Sequence, residues 1–254
     1  MMVCDICDST GYIITEKGIS IPCKCRKKRV EAYLCQHARI SKAWRKRAKY
    51  PLSFNPSFKA FFGIDCRKRV ADLSAYFELL ISDYAEFPSV YVWGDNGRGK
   101  SHIMYSLVLE AIRRYSITAF VVTEARLVEL AFGKPTNTNI ENDVEIVQER
   151  LETVSILLID DIGASALDSK GYKEGFINKV IRNRREEGKT TWMTSNVTPD
   201  HMDGHFGRRL ASYLLEMCHF LRFSTKRDLR LTKQREINKK FAKLLVEDVA
   251  DDDK

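Results

Sequence analysis

No stretch of this chain approaches the ~18 consecutive apolar residues that a membrane-crossing helix needs, so no span is expected. Its opening, MMVCDICDST, lacks the basic start and apolar middle of a secretory signal, which predicts a mature cytoplasmic end. There is no internal repeat, which sets aside solenoids and propellers. Low complexity is confined to the acidic end DVADDDK, inside a tail at 246–254. Nor is the composition poor enough in apolar residues for a disordered chain: 254 residues at 44% apolar allow one sizeable core plus a small accessory module.

What is present is unevenly spread. The formal net charge is +8, and Lys24 to Lys49 alone holds eleven Lys/Arg against the single acid Glu31. A second basic run, Arg208 to Lys243, sets eleven Lys/Arg against Glu216, Asp228 and Glu236. Clusters of this kind suit a nucleic-acid backbone, and two solvated helix faces are the plainer alternative. Cysteine is concentrated too, with four of the seven in the first 25 residues. In a reducing compartment, that crowding favours a metal over disulfides.

The period of the apolar residues divides the rest. Val70, Leu73, Tyr76, Phe77, Leu80, Ile81 and Tyr84 recur at helical spacing after a proline-marked hinge, YPLSFNPSF, at 50–58. From there strands and helices alternate. SVYVWG precedes the helix SHIMYSLVLEAIRRY, ITAFVVT precedes EARLVELAF, and a polar loop and a helix lead to SILLID. The helix YKEGFINKVIRNRREEG then leads to KTTWMTSN. Such alternation predicts an α/β fold, a parallel sheet flanked by helices.

The most specific motif is GDNGRGKS, Gly94 to Ser101, which matches G-x-x-x-x-G-K-[ST] and stands where a strand gives way to a helix. Gly94, Gly97 and Gly99 let the backbone turn its N–H groups toward phosphate oxygens, and the helix N-terminus adds its partial positive charge. Asp95, Asn96, Arg98 and His102 complete the candidate loop, Lys100 can reach the β- and γ-phosphates, and Ser101 can offer its hydroxyl to Mg²⁺. Further on, SILLIDDIGAS ends an apolar strand in two carboxylates, a costly arrangement without a cation nearby. If that strand end lies beside the loop, Asp160 holds Mg²⁺ and Asp161 faces the γ-phosphate to polarise a water. Asn196, closing WMTSN, is a candidate to orient that water or to touch the γ-phosphate, or is simply a turn residue.

At the other end, CDIC (Cys4, Cys7) and CKC (Cys23, Cys25) flank a candidate hairpin, TGYIITEKGISIP. Four thiolates suit a tetrahedral Zn²⁺, and so small a segment needs a staple. Cys-x-Cys is a tight bite, which leaves Cys35 or His37 open as alternative ligands, and free cysteines without a metal are the plainer reading. Cys66 and Cys218 stand singly and read as packing residues.

Together, VWGDNGRGKSHIMYSL, LLIDDIG, TSN and FGRRLASYLLEMCHFLRF…RDLRL resemble the AAA+ ATPases, and among them the DnaC/DnaI-type helicase loaders and the IstB-type transposition helpers. The likeness runs from about Asn55 to Thr232. It implies an AAA+ P-loop domain at 57–245, preceded by a zinc-binding module at 1–35 and a basic linker at 36–56. It also implies ATP bound with Mg²⁺ and slowly hydrolysed, self-association with nucleotide between subunits, and contact with single-stranded DNA. The opening C-x-x-C…TGYI…CxCR is similar to that of loaders whose leading zinc domain engages a hexameric DnaB-type helicase. Relatives carry an arginine where this chain has Tyr213, a residue that reaches a neighbouring subunit's γ-phosphate; here Arg208 and Arg209 lie about a turn earlier, and Arg230 fits a second sensor position. The short length is compatible with a phage source.

Overall fold

A computed structural model describes residues 4–8, 10, 12–16, 18–41, 45, 89–131, 141–164 and 172–223. The helix expected over 70–84, the hinge, most of the basic stretch beyond residue 41, and the chain after 223 lie outside the described residues. At the start, an antiparallel hairpin of β1 (Tyr12–Ile14) and β2 (Ser20–Pro22) leads into α1 (Lys24–His37). The α/β body then runs β3 (Ser89–Trp93), α2 (Lys100–Tyr115), β4 (Ala119–Thr123), α3 (Glu124–Ala131), α4 (Glu141–Thr153), β5 (Ile156–Ile162), α5 (Tyr172–Glu186), β6 (Thr190–Ser195), a 3₁₀ turn (Pro199–His201), α6 (Met202–Met217) and β7 (Cys218–Arg222). Among the described residues no helix is long and apolar enough to cross a membrane.

The strands form one five-stranded sheet in the order β4-β5-β6-β3-β7, and every adjacent pair is parallel. Their near-continuous aliphatic runs follow from burial on both faces, because successive side chains point to opposite sides. Val90, Val92, Leu158 and Trp192 join α1 and α2 in one core layer, whereas Tyr91, Phe120, Leu157, Ile159 and Met193 join α3 to α6 in the other. Each fully buried side chain of this size contributes roughly 1.5–3 kcal/mol.

Helix α1 is a departure from expectation. Its sequence KCRKKRVEAYLCQH shows little helical stripe, yet Leu34 and Cys35, with Ala38 and Ile40 after it, sit in the layer shared with α2. The Ala38 carbonyl accepts a hydrogen bond from Val121 N (3.1 Å), capping part of the outer edge of β4, and Arg113 pairs with Glu31 at 2.9 Å. Helix α1 thus runs two residues past position 35, and Ala38 and Ile40 beyond it are buried in the same layer.

One buried cation fastens the opposite layer. The Arg184 guanidinium donates to the carbonyls of Leu151 (2.8 Å), Val154 (2.9 Å), Ser155 (3.3 Å) and Thr190 (2.7 Å), and to Thr191 Oγ1 (3.1 Å). It thereby satisfies carbonyls at the C-terminus of α4, where the helix dipole is negative. Burial alone holds its pKa down to about 10.

Candidate nucleotide site

The loop between β3 and α2 has the geometry that its glycines predict. Gly97 and Gly99 take φ of 73° and 92°, a region costly for residues with a Cβ, and Gly99 is the N-cap of α2. At Gly94 the reason is space: a Cβ there would stand 2.0 Å from the Phe223 carbonyl oxygen, where the chain leaving β7 crosses the root of the loop. Asp95 and Asn96 are exposed, Arg98 is half-buried and pairs with Asp95 at 3.2 Å, and Ser101 and His102 are half-buried at the start of α2. Lys100 is 7% exposed, and its ammonium donates to the carbonyls of Gly94 (2.7 Å) and Asp95 (2.9 Å) and to Asn196 Oδ1 (2.7 Å).

The two aspartates end β5, but this strand is not the neighbour of β3. Strand β6 lies between them, yet Asp160 accepts a hydrogen bond from Ser101 at the start of α2, so the acidic strand end reaches the loop across the end of β6. The insertion places the end of β6 as a bridge. Asn196 accepts from Lys100 through Oδ1 and donates to Asp161 Oδ1 at 3.0 Å, so one amide links the cation of the loop to the second carboxylate. Thr194 donates its hydroxyl to Asp160 Oδ1 (2.5 Å) and accepts from Asp161 N (2.9 Å). The register explains why both carboxylates reach the same end of the sheet. From Ile159↔Met193 to Ile162↔Ser195, β5 advances by one residue more than β6, a bulge that holds Asp160 and Asp161. Asp161 takes φ of 60° there, a conformation that costs a non-glycine residue about 1 kcal/mol or more.

The environment divides the pair. Asp161 is exposed, while burial pushes the Asp160 carboxyl above the usual carboxylate range; hydrogen bonds from Thr194 and Ser101 and the Lys100 charge pull it back, and neighbouring Asp161 pushes it up. A half-buried carboxylate beside a helix-opening serine hydroxyl and a lysine is chemically suited to a hard cation and its phosphate ligands.

Arg208 and Arg209 follow Gly207, whose φ of 71° and ψ of 154° interrupt α6, and both side chains are exposed. Tyr213 packs under the guanidinium of Arg182, 4.2 Å from the ring centroid, with Arg185 at 5.3 Å. Arg230 lies outside the described residues.

The four amino-terminal thiols come together. The sulfurs of Cys4, Cys7, Cys23 and Cys25 all lie within 4.8 Å of one another, with Cys7 and Cys25 3.3 Å apart and Cys4 and Cys23 3.9 Å apart. A tetrahedral site with metal–sulfur bonds near 2.3 Å has sulfurs separated by about 3.8 Å, so this set could hold a metal ion. Arg29, one turn along α1, donates to Cys25 Sγ at 3.4 Å and would offset part of a thiolate cluster's charge. Cys35 is buried in the core layer and His37 stands by Tyr33, so neither alternative ligand belongs to the set.

Sequence reading missed Thr194, and it also missed a buried ion pair behind the acidic turn, Glu124 with Lys173. A strand threonine and an acid opening a helix are both commonplace locally, so neither carried a signal.

Comparison with known proteins agrees with this geometry. Residues 28–236 match the family described as IstB-like ATP binding protein. The curated replicative helicase loader DnaI of Bacillus subtilis (strain 168) is 26% identical over 121 residues, 46% of this chain and only 36% of that protein, so the chain matches about a third of its relative's length. Among solved structures, DnaI superposes with a TM-score of 0.56 at 17% identity, covering 71% of this chain and 94% of that one. The DnaC helicase loader gives 0.54 at 16% identity, covering 72% and 100%. At these identities, the structural likeness shows the fold. With the loop, the acidic turn and the bridging asparagine in place, and with the family match running through most of its length, the chain belongs to the IstB-like ATP-binding family.

Proposed function

We propose that this protein is an ATP-dependent loader of a hexameric DnaB-type replicative helicase onto single-stranded DNA, with slow hydrolysis acting as a switch. The observation that carries the nucleotide half is the chain Lys100–Asn196–Asp161, in which one amide joins a phosphate-seeking ammonium to an exposed carboxylate. On nucleotide binding, Lys100 exchanges the loop carbonyls and Asn196 Oδ1 for β- and γ-phosphate oxygens, and the N–H groups opening α2 take the remaining charge. Ser101 and Asp160 would hold Mg²⁺, which would supply charge neutralisation at the phosphates. Asp161 orients a water and draws off its proton, and Asn196 keeps that carboxylate in place. Arg208 and Arg209 are the candidates to complete a neighbouring subunit's site, and Arg230 remains the second-sensor candidate.

The amino-terminal module supplies the partner half of the proposal. Zn²⁺ bound by Cys4, Cys7, Cys23 and Cys25 would pin the β1–β2 hairpin to the start of α1. That hairpin exposes Ile14 (76%) and Ile19 (59%), beside Ile6, Tyr12 and Ile21, a surface suited to a protein partner. Lys24, Lys28 and Arg29 are exposed along α1, and Tyr33 is exposed nearby, an arrangement that suits single-stranded DNA phosphates and bases.

Co-purification with the host helicase, with and without ATP, tests this reading. A ring recovered with the chain and transferred to single-stranded DNA supports it, and no association under either condition sinks it. The family match also favours a second reading, an IstB-like transposition helper acting on duplex DNA. Filaments on duplex DNA with little affinity for single strands would select that alternative.

A further inference from the structure

We propose that Glu124 and Lys173 are positioning residues for the acidic turn: one buried carboxylate, held by one buried ammonium, fixes the backbone N–H that follows the aspartate pair and so sets where Asp161 stands. The inference rests on the nucleotide-site reading above. Glu124, the first residue of α3, is 1% exposed, and Lys173, in the first turn of α5, is 3% exposed. Lys173 Nζ lies 2.9 Å from Glu124 Oε1, and the same oxygen accepts the N–H of Gly163 at 3.1 Å.

Stability does not account for the pair. Desolvating two charges offsets most of their attraction, and buried ion pairs replaced by apolar side chains of similar volume are often neutral or stabilising. Its location gives it a use. Strand β6 holds the turn from one side, where Ser195 donates to the Ile162 carbonyl, Thr194 receives Asp161 N and Asn196 grips the Asp161 carboxylate. Glu124 holds it from the other, across the edge where Thr123 pairs with Asp160. Between these grips Asp161 sustains its φ of 60° and Gly163 a φ of 86°. Gly163 is also packed against Val197 and Phe206, so closely that a Cβ would lie 2.7 Å from the valine methyl. Releasing the Gly163 N–H lets Asp161 relax to negative φ, which swings its carboxylate away from Asn196. A charge-assisted acceptor resists that release about twice as strongly as a neutral one.

The experiment uses the full chain with two paired substitutions. Glu124→Leu/Lys173→Met removes both charges and the acceptor, and Glu124→Gln/Lys173→Met keeps an oxygen for Gly163. Turnover in the Leu/Met pair is expected to fall about tenfold or more, with nucleotide affinity within about threefold of wild type, and the Gln/Met pair to recover part of the loss. Wild-type turnover in the Leu/Met pair overturns the proposal, as does an absence of recovery in the Gln/Met pair. A wild-type protein that never hydrolyses ATP refutes the ATPase reading instead. The Gly163 amide then decides: hydrogen exchange about tenfold faster in the Leu/Met pair supports the clamp, and unchanged exchange overturns it. If the Leu/Met pair does not fold, exchange at Gly163 in the Gln/Met pair decides alone, faster for the clamp and unchanged against it.

Discussion

Replacing Asn196 with alanine separates two roles that one amide plays. Its Oδ1 accepts from Lys100 at 2.7 Å, a bond that exists only while the ammonium is not on a phosphate, and its Nδ2 donates to Asp161 at 3.0 Å, a bond that serves the hydrolytic step. Each bond has one charged partner and is worth about 1.5–3 kcal/mol where it is made. Losing the second removes that much from the oriented carboxylate, so kcat falls by about 10- to 100-fold. Losing the first destabilises the nucleotide-free state, because Lys100 keeps only the Gly94 and Asp95 carbonyls among the partners described above. Affinity for ATP therefore holds or tightens, by up to about tenfold, while turnover drops. Phosphate release measured with DNA present, beside equilibrium binding of a fluorescent ATP analogue, reads both quantities. A parallel loss of affinity and turnover refutes the reasoning, since it would make Asn196 a nucleotide ligand; unchanged turnover refutes it from the other side.

Asp161→Asn keeps the contour of the side chain and removes its basicity, so nucleotide binding is retained while phosphate release drops by about 10²-fold or more; equal rates in the two proteins would make this a switch that binds ATP without consuming it. The thiol cluster is expected to carry one zinc per chain, measured by metal analysis, and to lose it in Cys25→Ser. Without metal, the Cys25 thiol is pushed up to about 12, chiefly by its hydrogen bond with Cys7, so binding must expel protons and zinc affinity weakens as pH falls, read in a chelator titration at two pH values. Arg184→Met strips the partner from the carbonyls of Leu151, Val154, Ser155 and Thr190, and chemical denaturation is expected to show a loss of about 3–5 kcal/mol. A cost below about 1 kcal/mol would mean that water or relaxation resatisfies those groups.

Glycine spacing made the phosphate loop readable from the chain alone, because Gly97 and Gly99 mark local backbone conformations that other residues resist. The α/β alternation was equally plain, since two-faced burial writes itself as aliphatic runs at Val90–Val92 and Ile156–Ile159. Helix α1 was not legible: its charged residues hide a narrow apolar face, and only packing against α2 and the edge of β4 gives that face a purpose. The same holds for α6 and β7, where the sequence signalled one motif from Phe206 to Phe223 and no boundary inside it.

The sequence by itself determined the chemistry: an ammonium after a glycine loop, a hydroxyl next to it, two carboxylates at a strand end, and four thiols close along the chain. Such features need only neighbouring residues, so their signals survive without a fold. Tertiary structure decided which of them meet. Only the strand order put β6 between β3 and β5 and made Asn196, open in the sequence between a site role and a turn, the link between Lys100 and Asp161. Only packing brought Lys173 to Glu124 and Gly163, and Arg182 onto Tyr213. Those contacts join residues far apart in the chain, and their partners are chosen by burial and sheet register, which no local stretch encodes.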